Sequence, residues 1–64
     1  MVATAFEQLG LDAGASRRAV ERAWRRYALR HHPDRGGDAE SFVRGQQAYD
    51  RIIAEFEYRQ YAAW

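Results

Sequence analysis

Cysteine is absent from this chain of 64 residues, so neither a disulfide nor a cysteine-held metal can brace its fold. Lysine is absent as well, and all ten basic residues are arginine. No apolar run approaches the length that crosses a membrane. The first residues lack the basic-then-apolar form of a secretory leader, which makes a cytoplasmic location the expectation. Proline occurs once, at Pro33, and no segment alternates as a β-strand does. The chain is also short. A domain of about 60 residues buries only roughly 60% of the surface that its unfolded chain exposes, so stability is marginal and a deep substrate cavity would consume the core.

What is present is helical signal. Thr4-Ala5-Phe6-Glu7 has the form of a capping box, predicting a short helix over about 5–9 that ends at Gly10 in a left-handed cap. Leu11 is placed to fold back on it. Ser16 is a good N-cap for a second helix over about 16–31. Val20, Ala23, Trp24, Tyr27, Ala28 and His31 recur there at spacings of three and four, as a buried stripe does. Asp38 can cap a third helix over about 39–60, with Phe42, Gly45, Tyr49, Ile52, Ile53 and Phe56 as its apolar face. The fold class is therefore all-α: an antiparallel hairpin of two long helices with a short N-terminal helix packed across it. Two Trp, four Tyr and three Phe must supply much of the core. Tyr58, Tyr61 and Trp64, near the end of the chain, are expected to pack back on the domain or to lead to another one.

A net charge of +1 hides an asymmetry. Arg17, Arg18, Arg22, Arg25, Arg26, Arg30 and Arg35 fall in one stretch, opposed only by Glu21 and Asp34. That field favours an acidic partner surface or a nucleic acid. Leu29 sits amid the arginines. The stretch ends in His31-His32-Pro33-Asp34-Arg35-Gly36-Gly37-Asp38, where the only proline, both histidines and two adjacent glycines meet. Pro33 fixes its own φ and restricts His32 to an extended form. Asp34 follows in a turn-prone position, free to accept from backbone or arginine, with imidazole and carboxylate held apart by a stiff residue. A plain helix–helix connector facing water has the same composition.

The flanks decide between these readings. Phe6-Glu7-Gln8-Leu9-Gly10-Leu11, the run from Ala23 through Asp34, Phe42, and Gln47-Ala48-Tyr49 together resemble a J domain, the DnaJ-type co-chaperone module. The resemblance covers roughly three-quarters of the chain. It implies a domain that binds a DnaK-type seventy-kilodalton heat-shock chaperone and stimulates that partner's ATP hydrolysis while hydrolysing nothing itself. By similarity His32, Pro33 and Asp34 form the essential triplet, Arg22, Arg25, Arg26 and Arg30 match basic positions of the second helix, and Arg35 matches one after the triplet. Arginine forks suit acidic partner surfaces. Trp24 stands where the family has Tyr, Glu21 where it is often basic, Tyr27 where it usually has Leu, and Gly45 where it has a large aliphatic residue. Tyr27 is expected to fill the space above Gly45. The family's fourth helix is not evident, and Tyr58-Arg59-Gln60-Tyr61 resembles its Arg-x-x-Tyr element only loosely.

No cofactor or metal is implied, since adjacent histidines at a helix end rarely converge on one ion. The chain reads as one monomeric module over 1–64, either a domain excised from a larger protein or a minimal protein, with no membrane partner. The alternative is a helical module that binds nucleic acid through the arginine-rich helix, which the near-balanced total charge disfavours. An acid–base enzyme using His32 and Asp34 is disfavoured further, because Pro33 hinders their convergence.

Overall fold

Local capping chemistry sets the element boundaries. The computed structural model describes residues 2–62, which form α1 (Val2–Gln8), α2 (Arg17–His31), a single 3-10 turn (Pro33–Arg35) and α3 (Ala39–Ala62). Ser16 caps α2: its backbone is extended and its hydroxyl accepts from the Ala19 N–H at 3.1 Å. Asp38 caps α3, accepting from the N–H groups of Glu40 and Ser41 at 3.3 Å each and from the Ser41 hydroxyl at 2.9 Å. After α1, Gly10 takes φ +75°. The Gly10 N–H donates to Glu7 O and the Leu11 N–H to Phe6 O, both at 2.9 Å, which is a Schellman closure. Leu11 then packs against the core.

One expected boundary moves. Thr4 is not a cap but lies inside α1, which begins at Val2. Nothing in Val2-Ala3-Thr4 breaks a helix, so the extra turn forms and the Thr4/Glu7 pairing is that of helix neighbours.

The core is small and drawn from all three helices. Ala5, Phe6 and Leu9 meet Val20 and Ala23 of α2 and Ala48 and Ile52 of α3. Val20 and Ile52 are fully enclosed. Trp24, Tyr27, Tyr49, Ile53 and Phe56 close over this cluster as half-buried residues. Among the described residues no buried side-chain polar atom lacks a hydrogen bond.

Tyr27 joins the three helices. A Cβ on Gly45 would overlap its ring, so the absence of a side chain there is what lets α2 approach α3. Its hydroxyl donates to the Ser41 carbonyl at 2.6 Å and accepts from Gln8 Nε2 at 3.1 Å. The expected filling of the space over Gly45 by Tyr27 is present, with a hydrogen-bonded tip besides.

At 1.5 Å per residue, α3 runs about 36 Å and α2 about 22 Å, so α3 projects beyond the hairpin. The molecule measures 44 × 17 × 15 Å. Tyr58 and Tyr61 lie on this projection, 68% and 77% exposed, so they do not pack back on the domain. The physical reason is that α2 is too short to reach them. Trp64 lies outside the described residues. No helix among them is long and apolar enough to cross a membrane.

Candidate functional site

Pro33 stops α2 after His31, and the chain then folds into a single 3-10 turn. His32 is extended, with φ −63° and ψ 128°, as a residue before proline must be. Its carbonyl accepts from the N–H groups of Arg35 and Gly37, both at 3.0 Å. Its Nδ1 accepts from the Asp34 N–H at 3.2 Å, so the side chain caps the turn that follows it. That bond requires a lone pair on Nδ1, which leaves the proton of the neutral ring on Nε2. Gly36 closes the turn at φ +81°. Gly37 passes directly over the His31 backbone, where any Cβ would collide.

The ring of His32 is also held from the other side. It meets Phe42 edge-on at 5.5 Å. Phe42 lies 5.6 Å from Trp24, and Trp24 stacks on Tyr49 at 5.3 Å and more loosely on Tyr27 at 6.2 Å. His31 packs on Tyr27 at 4.2 Å. An unbroken run of rings therefore links the hairpin interior to the loop, and the two histidines face different partners. Sequence reasoning placed Phe42 and Trp24 in the core and missed that they position His32. The signal was an aromatic residue in the first turn of α3, one helical turn from the loop.

Asp34 behaves differently from expectation. It accepts no hydrogen bond from backbone or arginine among the described residues. Its side chain is 90% exposed, against 46% for His32, and its Oδ2 lies 3.9 Å from His32 Nδ1. The turn brings imidazole and carboxylate nearer than the intervening proline suggests, yet leaves the carboxylate available to a partner.

Arg22, Arg25, Arg26 and Arg30 of α2 and Arg35 of the loop are all exposed. At 3.6 residues per turn Arg18, Arg22 and Arg25, with Leu29, occupy the arc opposite Val20, while Arg26 and Arg30 border Leu9, Ala23 and Tyr27 at the edge of that face. Leu29 is 59% exposed there. Among the described residues Arg17 alone of the α2 arginines is paired, with Glu21 at 3.8 Å and Glu57 at 3.7 Å. Glu21 is thus turned toward Arg17. Among the described residues Arg18, Arg22, Arg25, Arg26, Arg30 and Arg35 have no acidic partner within 4.0 Å. The result is an uncompensated cationic face that ends at a rigid, exposed His-Pro-Asp turn.

Residues 4–61 match the sequence profile of the DnaJ domain. The chain belongs to the DnaJ-domain family. It is 38% identical over 55 residues to a DnaJ protein homolog of Cucumis sativus, covering 86% of this J domain and 13% of that protein. It is 45% identical over 51 residues to Chaperone protein DnaJ 1 of Aromatoleum aromaticum, covering 75% and 15%. A translocation protein homolog of Homo sapiens is 38% identical over 50 residues, covering 78% and 7%. The J domain thus spans a small fraction of the length of these relatives. No solved structure matches it significantly. Its three helices and hairpin are those of an all-α J domain.

Proposed function

We propose that this J domain binds a DnaK-type seventy-kilodalton heat-shock chaperone and stimulates its ATP hydrolysis, itself catalysing no reaction. The contact is made by His32, Pro33 and Asp34 together with Arg22, Arg25, Arg26, Arg30 and Arg35. The observation that carries this reading is the juxtaposition just described. Among the described residues, six arginines without acidic partners lead directly to an Asp34 carboxylate that no arginine engages. A partner surface supplying acids along α2 and a cation at the loop would complete both. Unpaired guanidinium groups steer the encounter and fix its register. The Gly37 crossover and the ring contact to Phe42 hold the loop in place beforehand, which lowers the entropy lost on binding.

Charge reversal tests this reading. Arg25→Glu/Arg26→Glu replaces two exposed side chains and removes no buried one, so its helicity and melting should match those of the parent. Its stimulation of a DnaK-type ATPase should fall by at least about tenfold, as for loss of steering and of charge-assisted contacts. Undiminished stimulation overturns the assignment of α2. Tight, steeply salt-dependent binding of DNA or RNA by the parent, without stimulation of any chaperone, would instead favour a nucleic-acid module.

A further inference from the structure

A polar groove lies between α1 and α3, away from the site just described. It has a volume of about 250 Å³, and no residue of α2 or of the His32–Asp34 loop lines it. Its rim carries Thr4 and Gln8 from α1 and Arg44, Gln47 and Arg51 from α3, over a floor formed by Ala5 and Ala48. No acid lines it. Arg51 has no ion pair among the described residues, and Arg44 makes only a 3.9 Å contact with Glu40 between largely exposed side chains. Such a contact yields readily to a better-placed carboxylate. Gln8 is fixed by its hydrogen bond to the Tyr27 hydroxyl, so one wall of the groove is already ordered.

We propose that this groove is a second docking site, which takes a helical partner segment carrying two carboxylates seven residues apart. Arg44 and Arg51 are seven residues apart on α3, a rise of about 10.5 Å. A helix laid alongside presents acids at the same interval, so each guanidinium faces one carboxylate. The small side chains of Ala5 and Ala48 let the partner's backbone come close, and the Gln8 and Gln47 carboxamides serve polar groups at its edges. A nucleic acid fits less well, because its phosphates repeat at much shorter intervals and call for a longer cationic track than two residues supply. The site is independent of the α2 face, so one J domain can hold the chaperone on one side and an acidic segment on the other.

The probe is a labelled helix-forming Ala/Gln peptide of about fifteen residues with two glutamates seven apart and no other charge. Its fluorescence anisotropy is followed on titration with the full chain. The unaltered chain binds the probe. Arg44→Gln and Arg51→Gln, which keep side-chain length, each weaken binding about tenfold, as for a lost charge-assisted hydrogen bond. Arg25→Glu/Arg26→Glu leaves binding within about twofold, and a probe with both glutamates replaced by glutamine does not bind. No binding by the unaltered chain overturns the proposal. So does equal binding of the glutamine probe, or loss of binding on α2 reversal. Tighter binding of single-stranded DNA through the same two arginines overturns the identity of the occupant. Chaperone stimulation, read separately, is unchanged by Arg44→Gln and Arg51→Gln, so failure at this groove and failure at the α2 face are distinguishable.

Discussion

Gly45 stands in the interior of a long helix, where glycine is about 1 kcal/mol less favourable than alanine. The ring of Tyr27 occupies the space that its missing Cβ leaves. Gly45→Ala should therefore destabilise the domain by roughly 1–2 kcal/mol, overpacking outweighing the gain in helix propensity. In a Tyr27→Leu background the same change should become neutral or stabilising, a coupling that a double-mutant cycle in urea measures directly. Equal losses in both backgrounds would show that the two residues are independent. This pairing was legible through the resemblance to the J domain, against which Tyr27 and Gly45 stand out as a large and a small departure. The partners of the Tyr27 hydroxyl were not legible. The Ser41 carbonyl and the Gln8 amide come within reach only once the register of three helices is set.

At the scale of elements, the caps were the most readable feature. Ser16, Asp38 and Gly10 act at the expected places because each meets a local backbone need that no distant contact overrides. The start of α1 was misplaced for a related reason, since Thr followed three residues later by Glu suits a helix interior as well as a cap. The loop was readable in its stiffness and not in its hydrogen bonds. Whether His32 would turn its ring onto Phe42 and its Nδ1 onto the Asp34 N–H depends on side-chain packing that spacing does not reveal.

Asp38 offers a pH test of capping. The Ser41 hydroxyl, and then the Glu40 N–H, hold its carboxyl below its ordinary value of 3.8. The folded state thus favours the ionised form. Its contribution is fully present above that ordinary value and is lost as pH falls through the lower folded one. On acidification from about pH 5 into this range, the parent should lose more melting temperature than Asp38→Asn, whose cap does not titrate. Parallel losses would remove Asp38 from the account of α3.

The whole molecule rests on few enclosed side chains. A domain of this length has roughly 3–10 kcal/mol of total stability. Ile52→Ala, at a fully buried position, should cost about 2–5 kcal/mol, a large share of that total, and lower the melting temperature followed by circular dichroism. Retention of a cooperative melt near that of the parent would mean that the aromatic residues around Trp24 carry the core instead. With so little interior, the surface is where function can be placed. The arginine face of α2, the exposed His-Pro-Asp turn and the α1–α3 groove use different residues of one small scaffold. The projecting end of α3 remains solvent-facing at Tyr58 and Tyr61.

The most direct test of the contact site is single-turnover ATP hydrolysis by a DnaK-type chaperone with the parent domain and with Asp34→Asn. That substitution keeps the shape of an exposed side chain, removes its charge and leaves the turn's backbone bonds in place. The parent should accelerate hydrolysis, and Asp34→Asn, with its helicity and melting unchanged, should leave the chaperone at its basal rate. Full acceleration by Asp34→Asn would contradict the assignment of the loop as the contact that drives the partner.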